Sequence, residues 1–110
     1  MGQSPFQLAK DIQVLVQGRL HSQDIDSMPA IERDLLRKIK RRLADIRLDI
    51  RDYGTAETAS EQRQKGKAGL KNLDALQREL LEASDYGVFG AADVAIVSAH
   101  IQQLMVELKE

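Results

Sequence analysis

Cysteine and tryptophan are absent from this 110-residue chain, and phenylalanine and tyrosine occur only twice each. Without cysteine there is no disulfide framework, no thiolate metal site and no dithiol redox chemistry. With so few aromatics, Leu, Ile, Val and Ala must fill the interior, and an aliphatic filling suits helices packed on helices. No stretch approaches the roughly 18 uninterrupted apolar residues that a membrane span needs. The opening Met1-Gly2-Gln3-Ser4-Pro5 also lacks a basic segment followed by an apolar core. Neither sign of charge dominates. Sixteen Lys and Arg stand against 17 Asp and Glu, a formal −1, which speaks against a wholesale polyanion binder or a disordered acidic tail. The expectation is a soluble, cytoplasmic protein.

What the chain does have is helical periodicity. Leu36, Ile39, Leu43, Ile46, Ile50 and Tyr53 recur at alternating steps of three and four, and Val94, Val97, Ile101, Leu104 and Leu108 repeat the rule. Ser4 before Pro5 marks a helix start, because Ser accepts from a free amide and Pro gives up an amide with no partner. Leu8, Ile12, Leu15, Val16 and Arg19 then line the inner side. Ser27 and Pro29 bracket a second start, and Gly54 is placed to end that helix in the left-handed conformation. Thr58-Ala59-Ser60-Glu61 fits a capping box, with Gly87 ending the helix it opens. Leu70, Leu73, Leu76, Leu80 and Leu81 supply that helix's apolar positions. The chain is predicted to be one all-α domain over residues 1–110. Its architecture is an up-and-down helical bundle of four helices, near 5–20, 29–53, 58–84 and 90–109. Two or three of them are long, and the connections are short and Gly-capped.

Arg51-Asp52-Tyr53-Gly54 and Ser84-Asp85-Tyr86-Gly87 share an ending 33 residues apart, a helical-solenoid period. Aligned at that offset, however, Leu35, Leu36 and Ile39 meet Ala68, Gly69 and Asn72, so the plainer reading is two independent caps. From Thr55 to Gly69 the only nonpolar residues are Ala56, Ala59, Gly66, Ala68 and Gly69. Each helix-interior glycine costs about 0.5–1 kcal/mol relative to alanine. Gly66 and Gly69 therefore mark either a close helix approach or a weak segment that orders on a partner. Lys65-Gly66-Lys67-Ala68-Gly69 lacks the glycine spacing and the Lys-Ser/Thr pair of a phosphate loop, and it follows no strand.

Charge is sharpest between Ser27 and Tyr53, where eight Lys and Arg against five Asp and Glu give a local +3. At 100° per residue Arg33, Arg37, Lys40, Arg47 and Arg51 fall on one flank of the apolar stripe, interrupted by Ala44. Asp45, Asp49 and Asp52 fall on the other, and Asp34 is spaced to pair with Lys38. The bland account is a solvated flank reaching acids on the first or third helix. The functional one is a contact stripe for phosphates or for an acidic partner. It has no interleaved aromatic and no helix-turn-helix spacing, which argues against sequence-specific nucleic-acid recognition.

The last helix carries Ala92, Ala95, Ile96, Ala99 and Val106 opposite its main stripe, so it is either central in its own bundle or pairs with a second copy. His21 and His100 have no Glu-x-x-His spacing and no paired ligand, and His100-Ile101-Gln102-Gln103-Leu104 departs from the Lys and Gly that follow a phosphorelay histidine. Ser98 and His100, two apart on a helix, point away from each other and form no triad. No cofactor, metal or catalytic residue is expected. The functional expectation is a non-enzymatic protein-protein interaction module: a small adaptor, scaffold or chaperone-like bundle. Arg33, Arg37, Lys40, Arg47, Arg51, Gly66 and Gly69 would bind the partner, and Ala92, Ala95, Ile96, Ala99 and Val106 would mediate self-association. Nonspecific nucleic-acid or polyanion binding through the basic stripe is the alternative.

Overall fold

The computed structural model describes residues 4–21 and 25–109. Among them the backbone forms α1 (Pro5–His21), a short 3-10 turn (Ile25–Ser27), α2 (Ala30–Thr55), α3 (Ala59–Asp85) and α4 (Ala91–Lys109). Each helix packs on the next and α4 returns to α1, closing a ring of four. Direction follows from contacts between neighbours. Asp52 meets Lys65 and Arg42 meets Glu79, while Gly69 lies against Leu108 and Gln77 bonds Gln102. Neighbours therefore run antiparallel, and the molecule is an all-α, up-and-down bundle. None of its described helices is long and apolar enough to cross a membrane.

The caps explain where the helices begin and end. Ser4 Oγ accepts from the Gln7 amide at 3.2 Å, which occupies one of the orphan donors of the first turn. Thr58 Oγ1 accepts from the Glu61 amide at 3.1 Å, and the Glu61 carboxylate accepts from the Glu57 amide at 3.4 Å. The reciprocal bond thus reaches one residue further back than a capping box requires. At the start of α2 no side chain caps: Pro29 occupies the cap position, and its carbonyl accepts from Glu32 and Arg33.

The two Tyr-Gly endings are not equivalent. Gly87 has φ 76°, its amide bonds the Ser84 carbonyl, and the Val88 amide bonds Ala83. That pair of bonds is a Schellman ending, held down by the buried Val88 and Phe89. Gly54, predicted to cap α2 in the same way, is instead helical, and α2 runs on to Thr55 and ends on extended Ala56. Thr55, Ala56 and Glu57 offer no large apolar residue to bury, so nothing pulls the chain into the left-handed turn.

The core collects Leu8, Ile12 and Val16 from α1, Leu36, Ile39, Leu43, Ile46 and Ile50 from α2, Leu73, Leu76 and Leu80 from α3, and the whole α4 stripe. Tyr53 and Leu70 pack at its edge. Two predicted core residues lie outside it. Leu15 and Leu81 are 40% and 51% exposed, because each adjoins a residue, Val16 or Leu80, that already faces the centre, and neighbours in a helix point about 100° apart. Arg19, also predicted on the inner side, has its side chain outside the described residues. Gly66 and Gly69 permit a close approach of their neighbours. A Cβ at Gly66 would lie 3.3 Å from the Tyr53 ring, and one at Gly69 would lie 3.2 Å from Leu108 Cδ1.

Gly69→Leu should lower the unfolding free energy by about 1–3 kcal/mol through overpacking. Gly54→Ala, helical with nothing within 4 Å of the added carbon, should raise it by about 0.5–1 kcal/mol. Urea titration followed by circular dichroism measures both, and a destabilised Gly54→Ala would restore a left-handed cap at that position.

Candidate partner-binding surfaces

The basic flank of α2 borders α1. Arg33 is half-buried, and Arg37, Lys40, Arg47 and Arg51 are exposed. Arg37 Nη1 lies 3.6 Å from Asp34, one turn earlier, so Asp34 pairs with this stripe residue and not with Lys38 as its spacing suggests. Arg51 Nε lies 3.6 Å from Asp52, its own neighbour. Both are solvent-exposed pairs of the kind that contributes about 0–1 kcal/mol. Arg33, Lys40 and Arg47 make no ion pair among the described residues. The stripe is therefore not neutralised by acids on α1 or α3. Where α1 crosses it, Phe6, Gln13, Ala44, Arg47, Leu48 and Arg51 line a groove of about 400 Å³ with no carboxylate in its wall. Phe6 and Leu48 are each nearly half exposed within that groove, an apolar floor beside two guanidinium groups.

The opposite flank of α2 is used internally. Arg42, which sequence reasoning left out, donates from Nε and Nη2 to Glu79 Oε1 at 3.1 and 2.9 Å and from Nη1 to Asn72 Oδ1 at 3.0 Å. Asn72 then donates to Asp49 Oδ2. Glu79 is 8% exposed, and its Oε2 is buried with no donor among the described residues. The signal was present in the spacing. Arg42 and Asp49 are seven apart, as are Asn72 and Glu79, and seven residues is two helical turns. On antiparallel helices that matches Arg42 to Glu79 and Asp49 to Asn72.

Gly66 and Gly69, predicted to help bind a partner, are buried against Tyr53, Ile50 and Leu108. Close packing inside the bundle accounts for both, and neither presents a surface. The stretch Lys65 to Gly69 lies wholly within α3, so it forms no phosphate loop. On α4, Ala92, Ala95 and Ala99 are exposed, with Ile96 and Val106 at 50% and 54%. None of these five residues belongs to the buried core of the described residues. His100 is half-buried with Nδ1 2.9 Å from the Ile96 carbonyl, a bond within its own helix. The His21 side chain lies outside the described residues. Among those residues no group of three His, Asp or Glu is placed to hold a metal ion.

No family model, no curated protein and no solved structure matches this chain.

Arg42→Ala should cost about 1–3 kcal/mol, because it leaves the Glu79 carboxylate buried without its cation. Arg47→Ala, at an exposed site without an ion-pair partner, should stay within about 0.5 kcal/mol of the parent. Denaturant midpoints of the two variants check the contrast, and equal effects would remove the structural role given to Arg42.

Proposed function

We propose that the chain is a non-enzymatic protein-interaction module that receives an acidic amphipathic helix in the groove between α1 and α2. The observation that carries this reading is the groove in which Arg47 and Arg51 stand beside the half-exposed Phe6 and Leu48, with Lys40 and Arg33 two and four turns further along α2, and with no ion pair made by Arg33, Lys40 or Arg47 among the described residues. An incoming helix with apolar anchors one turn apart gains about 25 cal/mol for each Å² of apolar surface it covers there. Carboxylates on its flanks meet a stripe on which Arg33, Lys40 and Arg47 make no ion pair among the described residues, which sets orientation and selects against basic partners. The outer face of α4 is the surface proposed for a second copy of the chain, since its alanines permit close approach and no charge on it has to be desolvated.

A second reading, nonspecific polyanion binding, is favoured by the position of Phe6 beside Arg47 and Arg51, where an exposed ring and two guanidinium groups can stack and pair with a nucleotide. Salt separates the two. Phosphate contacts make affinity fall with a log-log slope near −0.7 per phosphate on a single strand, or −0.9 on duplex DNA.

A fluorescent 20-residue helical peptide with a leucine stripe flanked by glutamates should bind, and its lysine-flanked counterpart should not. Lys40→Glu with Arg47→Glu should weaken the acidic peptide about tenfold or more. Equal binding of both peptides, or tighter binding of a single-stranded oligonucleotide with the steep salt slope, overturns the reading. For the α4 face, light scattering should give a mass above the 12.3 kDa monomer that Ala95→Glu with Ala99→Glu returns to one chain. A monomer at every concentration removes self-association.

A further inference from the structure

The closure of α3 on its neighbours leaves a second pocket at the end of the bundle where α2 and α4 finish and α3 begins. Because Gly66 and Gly69 have no side chains, the Tyr53 ring and the Leu108 turn lie directly against α3. Just outside this contact a pocket of about 360 Å³ is lined by Tyr53, Leu70 and Leu108 below, Ala59 and Gln62 beside, and Arg63, Lys67 and Lys109 around. The volume falls within the roughly 300–1,000 Å³ of small-molecule sites. Gln62 donates to the Tyr53 carbonyl at 3.4 Å, tying the pocket wall to the end of α2.

The charge of this pocket is one-sided. None of its lining residues is acidic, and Arg63, Lys67 and Lys109 make no ion pair among the described residues. Of the acids next in sequence to lining residues, Asp52 lies within 4 Å of both Arg51 and Lys65, Glu61 accepts from the Glu57 amide, and Glu107 does not line the pocket. Lys109 offsets the negative end of α4, while Ala59 brings the positive N-terminal turn of α3 to the same pocket. Among the described residues Arg63 and Lys67 then make no ion pair above an apolar floor.

We infer that this pocket binds a small amphipathic anion, an apolar chain or ring bearing a carboxylate, with the apolar part on Tyr53, Leu70 and Leu108 and the carboxylate between Arg63 and Lys67. This site is separate from the α1/α2 groove and does not depend on the helix-docking reading. The probe is decanoate, with 1-decanol supplying the tail alone and acetate the charge alone, each titrated into the full isotope-labelled chain and followed by amide NMR.

Decanoate should saturate and shift the amides of Gln62, Arg63, Lys67, Leu70 and Leu108. Decanol should bind about tenfold more weakly or worse, and acetate should leave the spectrum unchanged. Arg63→Glu with Lys67→Glu should cost about tenfold or more in decanoate affinity with the helical circular dichroism intact, and Lys109→Glu serves as the second variant should the pair perturb folding. Arg47→Glu, in the other groove, should leave decanoate binding unchanged. The inference is overturned if decanoate fails to bind, if decanol matches it, or if the shifts fall on Phe6, Ala44 and Leu48.

Discussion

The long antiparallel seam between α2 and α3 is the contact on which the rest of the bundle is built. These are the two longest helices, 26 and 27 residues, and at 1.5 Å per residue they lie side by side for most of about 40 Å. Their apolar contact is strong but nondirectional. Leucines on isoleucines would tolerate a slip of one turn. The Arg42, Glu79, Asn72 and Asp49 network would not, because a slip leaves the Glu79 carboxylate, 8% exposed, without its guanidinium. Leaving that carboxylate without its donor costs about 1–3 kcal/mol, more than the pair itself gains. The polar link therefore sets the register, and the register places Gly66 and Gly69 under Tyr53 and Leu108.

The stripes on α2 and α4 were legible residue by residue because in each a two-turn aliphatic repeat marks the face that is buried. Leu15 and Leu81 were misread because composition cannot say which of two adjacent apolar residues points inward. Gly54 was misread for a different reason. The Asp-Tyr-Gly ending is shared, but a left-handed cap also needs a following apolar residue to bury. Gly87 has Val88 and Phe89, and Gly54 has Thr55 and Ala56. The cap lives in the residues after the glycine as much as in the glycine.

The surfaces divide in the same way. The basic flank of α2 could be projected from the sequence, since it depends only on 100° per residue. Whether it was neutralised depended on what α1 placed beside it, and α1 contributes Phe6 and Gln13 to the groove. Gly66 and Gly69 are costly in a helix, and the close approach of Tyr53 and Leu108 is what their missing side chains permit. The pocket beside them was not legible at all, because its lining comes from three helices and no single segment carries a pattern for it.

A formal charge of −1 describes the whole chain and hides how its acids are spent. Asp49 and Glu79 hold the seam, Glu61 caps α3, Asp34 and Asp74 pair along their own helices, and Asp52 sits within reach of Arg51 and Lys65. Each of these carboxylates has a local structural partner, and none lines either groove. The cations that do, Arg47 and Arg51 in one and Arg63, Lys67 and Lys109 in the other, are gathered at the end of the bundle where α1 begins and α2 finishes. Screening over a Debye length of about 8 Å at physiological salt means that an arriving ligand responds to this local set and not to the total. A nearly neutral chain can thus present two positively lined apolar grooves.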